Sequence, residues 1–374
     1  MNLLKASNQE NLIHSQQFRK SMYTKRIQYW LVLGCVLLFM QVIIGGITRI
    51  TGSGLSITKW EIVTGTLPPM NAASWNVEFD KYKATPQYEK LNDGMPLSDF
   101  KFIYFWEYFH RLWARMMGFA FLIPALFFTV RKRMDKKLWI KMAPVIGFAL
   151  LAAIFGWIMV ASGLIDRPWV NAYKLSIHLS IAVATFAFLV RATLYSYVSE
   201  SRIGLRSKIP TIFIILGIIL GLQVFFGGVM SGMRAGLVYP TWPDMGGQFI
   251  PDILTERKMW TRNNLEDYGR TAFAPALIQF LHRITAYLLA VVVFIAWRAY
   301  KKIGIEINQK RFTLFSLILG IQILVGILTV VSCKGSIPLG LGVLHQAVAL
   351  LLVGSYVMVW HSIKYYSKDK LHEL

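Results

Sequence analysis

Cysteine and acidic residues are both scarce in this chain. Only 2 of the 374 residues are cysteine, Cys35 within one apolar run and Cys333 at the end of another. That spacing excludes a disulfide framework and a CxxC redox motif, and leaves both thiols as packing residues. Asp and Glu number 19 against 40 Lys and Arg, giving a formal net charge of +21. The basic residues collect in short clusters at the ends of apolar runs, with no aromatic-interleaved soluble domain between them, so nucleic-acid binding is not indicated. The N-terminal segment is polar for about 27 residues and has no short apolar core with a small-residue cleavage site, so no cleaved signal peptide is expected.

What is abundant is apolar: 55% of residues are hydrophobic and the mean hydropathy is +0.48. Runs of roughly 20 apolar residues span a bilayer as helices. Eight are expected, at residues 28–50, 103–130, 142–162, 173–195, 210–232, 273–297, 312–332 and 338–361. The fold class is therefore an all-α polytopic membrane protein. Lys and Arg accumulate in cytoplasmic loops. One side of the chain, which includes both termini, Arg131 to Lys141 and Arg298 to Arg311, carries 22 basic and 6 acidic residues, and the other 12 and 12. Both termini are expected to be cytoplasmic, in a multi-pass protein of the cell (inner) membrane.

The chain repeats itself. Gln41-Val42-Ile43-Ile44-Gly45-Gly46 recurs 182 positions later as Gln223-Val224-Phe225-Phe226-Gly227-Gly228. His110-Arg111 recurs as His282-Arg283, and His178 finds His345. The expected organisation is two tandem, pseudo-symmetric four-helix bundles. Residues 28–195 form the first and 210–361 the second, with a tail at 1–27, a linker at 196–209 and a tail at 362–374. Two long outer segments, 51–102 and 233–272, occupy corresponding places. They are rich in Trp, Pro and Gly, as in Lys59-Trp60 with Pro68-Pro69 and Tyr239-Pro240-Thr241-Trp242-Pro243. Such composition suggests ordered caps over a site.

All four repeated histidines lie in even-numbered spans. At ~1.5 Å per residue each sits ~24 to 36 Å from the cytoplasmic basic fringe. Neutral imidazole is a common metal ligand, and four at matched depth suggest two axial pairs, each gripping one haem between two parallel helices. His14, His361 and His372 lie in tails or at the cytoplasmic margin and receive no role. The halves differ at one position: Glu107 precedes His110 by three residues, whereas Gln279 precedes His282. That spacing puts acid and imidazole on one helical face. A membrane carboxylate is costly, and it can stabilise a developing cation or move protons, so the first half reads as the site of chemistry. Orienting His110, or pairing with Arg111 or Arg115, is the structural alternative. Arg49, Arg111, Arg234 and Arg283 are candidates for pairing with haem propionates, or for snorkelling.

These elements together resemble the haem A synthase family, in its mitochondrial and alphaproteobacterial-like branch. The resemblance is carried by Gly45-Gly46-Ile47-Thr48-Arg49 with Ser53-Gly54-Leu55-Ser56, Trp60 and Pro68-Pro69, and by Glu107-Tyr108-Phe109-His110-Arg111. It continues through Ala235-Gly236-Leu237-Val238-Tyr239 with Met245-Gly246, Gln279-Phe280-Leu281-His282-Arg283, and Gly326-Ile327-Leu328-Thr329 before His345-Gln346-Ala347. The resemblance implies an oxidoreductase that converts the C8 methyl group of haem O to a formyl group by successive hydroxylations, giving haem A for terminal cytochrome oxidase. By position, His110 and His178 would bind the substrate haem O, Glu107 would assist its oxidation, and His282 and His345 would ligate a resident haem b. Implied partners are membrane lipid, an unidentified electron acceptor and, as a candidate, the farnesyltransferase that makes haem O; self-association stays open. Another branch of the family carries a cysteine pair in the first outer loop, which this chain lacks. Two other readings fit parts of the pattern: a dihaem cytochrome b that only moves electrons, and a transporter built from two repeats.

Overall fold

The computed structural model describes residues 23–58, 67–163, 168–199, 208–303 and 306–365. Trp60, the linker residues 200–207 and most of both tails lie outside these. Among the described residues the chain is all-helical, and eight helices are long and apolar enough to cross a membrane. They are α1 (Lys25–Ile50), α4 (Leu97–Val130), α5 (Lys136–Gly163), α6 (Ala172–Ser196), α7 (Thr211–Met233), α10 (Phe273–Ile303), α11 (Glu306–Val331) and α12 (Leu339–Tyr365). The protein is thus a multi-pass membrane protein, with each expected span recovered as a helix.

Several helices run past the apolar stretch that announced them. α4 starts at Leu97 rather than 103, α5 at Lys136 rather than 142, and α11 at Glu306 rather than 312. Hydropathy marks the bilayer-crossing part, whereas capping decides where the backbone leaves the helix. Pro96 stands immediately before α4, and at its other end Lys132 takes a left-handed conformation (φ 52°) while the Arg133 N–H returns to the Phe128 carbonyl. Asn171 caps α6, its side-chain oxygen accepting from the Tyr173 and Lys174 N–H groups at 3.0 and 3.2 Å.

α1, α6, α7 and α12 form the inner set. α1 packs on α4, α6 and α12; α6 also packs on α5, α7 and α12; α10 leans on α7 and α11, and α11 on α12. Small residues permit the closest crossing: a Cβ at Gly232 would stand 2.6 Å from the Ala172 Cα, and one at Gly228 2.9 Å from the Ser176 Cα. Without a hydrophobic drive between helices in lipid, such contact and interhelical hydrogen bonds do the holding. Ser176 donates to the Phe225 carbonyl (2.5 Å), Gln346 to the Val42 carbonyl (2.6 Å) and Tyr356 to the Phe213 carbonyl (2.7 Å). Two apolar clusters fill the end of the bundle that carries the chain termini. One is built around Ile27, Leu31, Leu138 and Leu189, the other around Phe213, Leu216, Phe312 and Phe315.

The described parts of both outer segments fold against the ends of the spans. The first contains α2 (Ala72–Lys83) and α3 (Pro86–Leu91), whose Phe79 and Tyr82 stack on Phe100 at the start of α4. The second contains α8 (Asp252–Thr255), α9 (Arg262–Glu266) and two single 3-10 turns, packed on Phe273 and Ala276.

Candidate haem-ligating histidine pairs

The four histidines project from α4, α6, α10 and α12, and each lies against a glycine on a neighbouring odd-numbered span. A Cβ at Gly45 would stand 3.0 Å from His110 Cε1, at Gly156 3.2 Å from His178, at Gly227 3.1 Å from His282 and at Gly326 2.8 Å from His345. Four notches of the same kind therefore seat four imidazoles. One turn before the notch stands a glutamine in three cases. The Gln41 amide lies 3.2 Å from both ring nitrogens of His110, and the Gln223 and Gln322 amides lie 3.3 Å from Nε2 of His282 and His345. The fourth position, before Gly156, is Ala152.

His282 and His345 face one another with ring centroids 6.4 Å apart and planes at 76°. A metal–imidazole bond is about 2.0–2.1 Å and the nitrogen lies about 1.1 Å from its ring centre, so two axial imidazoles on one ion stand about 6.3 Å apart. The pair has that separation. Nδ1 of His178, His282 and His345 is buried without a well-formed hydrogen bond, each ring lying against the backbone of the residue one turn before the notch, Ala152, Gln223 or Gln322. Among the described residues no group of three or more His, Cys, Asp or Glu gathers to hold a metal. An ion gripped by two histidines alone must bring its remaining ligands with it, as haem iron does. His178 lies near enough to His110 for the two rings to interact electrostatically.

Glu107 is buried, and its carboxylate is fully engaged. Oε2 accepts from the Ser56 hydroxyl (2.7 Å) and the Ile57 N–H (2.8 Å), and Oε1 from Arg111 (2.5 Å), whose guanidinium also reaches the Ile57 carbonyl. The acid therefore ties the first outer segment to α4, directly beside His110. In the other half Gln279 donates to the Tyr239 carbonyl (2.8 Å), while Arg283 donates to the Thr241 and Asp244 carbonyls (2.6 Å each). The two positions do one mechanical job, with a charged group where a loop N–H is presented and an amide where a loop carbonyl is. Asp244 holds this second segment together, accepting from the Gly247 N–H (3.0 Å) and the Thr241 hydroxyl (2.8 Å). These bonds, with Arg283 nearby, hold its carboxyl below the usual carboxylate range.

The candidate propionate arginines are differently occupied. Arg111 and Arg283 serve the outer segments as described. Arg49 donates to the Ser231 and Gly232 carbonyls at 2.8 and 2.7 Å, capping the end of α7 from α1; such cations suit helix C-termini. Arg234 is exposed and ends α7 in a left-handed conformation. Cys35 contacts the Thr193 hydroxyl and Cys333 the Thr329 carbonyl, both as free thiols.

Residues 28–357 match the sequence profile of a family described as cytochrome oxidase assembly protein. The chain is 38% identical to the haem A synthase of Flavobacterium psychrophilum over 90% of its length and 98% of that protein's. It is equally similar, at 38%, to the haem A synthases of Nitrosospira multiformis, over 91% of this chain and 94% of the relative, and of Parvibaculum lavamentivorans, over 90% and 93%. The chain belongs to the haem A synthase family. The histidine and Glu/Gln positions stood out in the sequence alone. The glutamine and glycine seats were not, although the signal was present: Gln41 with Gly45 and Gln223 with Gly227 lie inside the repeated hexapeptide, and Gln322 with Gly326 keeps the same spacing.

Proposed function

We propose that this chain is a haem A synthase that oxidises the C8 methyl group of haem O to a formyl group by successive hydroxylations and loss of water. The 6.4 Å separation of His282 and His345 carries the haem part of this reading. These two residues would hold haem b, which when bound supplies an electron relay to an acceptor outside the chain. His110 and His178 would bind haem O in the first four-helix unit, residues 28–195. Oxidation of a methyl group beside a porphyrin ring withdraws electrons and builds positive charge there. A carboxylate that accepts from the Ser56 hydroxyl, the Ile57 N–H and Arg111 is held at a fixed place beside His110. Glu107 is thus suited to stabilising that charge electrostatically rather than to shuttling protons. The Gln279 amide offers no such charge, which fits residues 210–361 keeping a cofactor unchanged.

The remaining parts of the reading follow from position. Both termini are cytoplasmic, which places the histidine pairs and outer caps toward the far side of the membrane. Haem O arrives from the farnesyltransferase that makes it. The electron-transfer alternative, a dihaem cytochrome b, draws support from the engagement of Glu107 in holding the first cap. Coexpression with the farnesyltransferase, followed by pigment extraction, separates the two. A haem A synthase accumulates haem A and loses it in Glu107→Ala; persistence of haem O alone with the parent chain refutes the synthase reading.

A further inference from the structure

The two halves close their outer helices differently. Only 11% and 6% of the most apolar windows of α4 and α5 are buried, against 33% and 22% for the corresponding α10 and α11. α10 and α11 pack on each other, whereas among the described residues α4 rests on α1 and α5 on α6, with at most marginal contact between α4 and α5. The first unit is thus an open arc, α4–α1–α6–α5. Its open side lies between the helix that bears His110 and the helix whose Gly156 backs His178. Large apolar side chains stay exposed on both helices, among them Met116, Phe119 and Ile123 on α4 and Leu150, Ile154 and Trp157 on α5. A second observation points the same way. Ala152, on the α5 wall one turn before Gly156, stands where α1, α7 and α11 carry Gln41, Gln223 and Gln322. Of the four positions one turn before a glycine notch, this one alone is not glutamine.

We propose that the cleft between α4 and α5 is a lateral site for the isoprenoid chain of the substrate haem, and the route by which substrate enters from the bilayer and product returns to it. This rests on the reading of His110 and His178 as the substrate pair. A long apolar chain is at home in lipid and against apolar side chains, and is expelled from water, so a wall open to the bilayer admits it without crossing a polar surface. A glutamine at position 152 would put a polar group in its path. The resident group needs the opposite arrangement, and α10 packed on α11 with Gln322 behind His345 provides it.

The test uses the full-length chain in lipid nanodiscs and haem O carrying a diazirine on its isoprenoid chain. After illumination, labelled peptides are expected from α4 and α5. Labelling confined to α10–α12 or to the outer segments overturns the proposal. Independently, Ala152→Gln should weaken haem O uptake by at least about tenfold while lowering uptake of haem B, which lacks the chain, far less. The low-spin spectrum of the haem held by His282 and His345 should be unchanged. Equal losses for haem O and haem B, or none for either, overturn it. His178→Ala separates this failure from that of the underlying reading. If it binds haem O as the parent does, the pair is not the substrate site and both fail. If it abolishes uptake while label and Ala152→Gln are indifferent, only the cleft fails. The photolabelling needs no substitution, so the proposal stays decidable even where Ala152→Gln does not fold.

Discussion

Gly326→Ala puts one methyl group where the structure has room for none. The new Cβ would stand 2.8 Å from His345 Cε1, where ordinary contacts lie at 3.4–4 Å, so the imidazole must retreat by several tenths of an ångström from the axis it shares with His282. Overpacking a filled site costs about 1–3 kcal/mol. At roughly 1.4 kcal/mol per decade, affinity for a haem gripped by His282 and His345 falls about 5- to 140-fold. Helix propensity works the other way, since Ala for Gly within a helix is worth about 0.5–1 kcal/mol. Gly320→Ala on the same helix isolates that effect, because nothing lies within 4 Å of its added Cβ. The assay is haem-to-protein stoichiometry by pyridine haemochrome on purified protein, with the reduced low-spin spectrum as the check on ligation. Gly326→Ala is expected substoichiometric with an altered spectrum, and Gly320→Ala indistinguishable from the parent. Full occupancy and an unchanged spectrum in Gly326→Ala would refute the seat geometry. Graded by approach, Gly227→Ala at 3.1 Å should disturb the same haem less.

Other substitutions separate the two sites. Glu107→Ala should keep the haem of the His282/His345 pair and lose haem A formation. It also leaves Arg111 without its buried partner, so limited proteolysis should cut the first outer segment sooner, by an opening made about 3–5 kcal/mol easier. Resident haem retained stoichiometrically in His282→Ala would contradict the assignment of that ligand; its loss is expected. Asp244 has a folded pKa below its unfolded value, so the order it confers is present above the usual carboxylate range and lost as pH falls through the depressed value. Hydrogen exchange at the Gly247 amide should accelerate in that acid window, and an exchange rate following only intrinsic chemistry would discount the contact.

Much of the molecule is written locally. A run of some 20 apolar residues has few options in a bilayer but to become a helix, because unpaired backbone groups there are too costly. That is why all eight spans were legible, and why only their ends, set by caps such as Pro96, shifted. The histidines were legible for a related reason: a polar group in hydrocarbon stands out against its neighbours, and a duplicated one stands out twice. The glutamine amides that face them were not singled out, since a single Gln in an apolar run does not say which helix it meets.

The sequence by itself determined the eight helices, the four imidazoles and the Glu107/Gln279 difference, all of which depend on residue type and spacing along one chain. Only the tertiary structure decided what those groups touch. It set His282 against His345 at 6.4 Å, tied Glu107 to Ser56, Ile57 and Arg111, and packed α10 on α11 while leaving α4 and α5 apart. The reason is physical: helix formation in a membrane is satisfied within each segment, whereas helix association rests on notches such as Gly326 and on partners far away in sequence, whose fit no single segment contains.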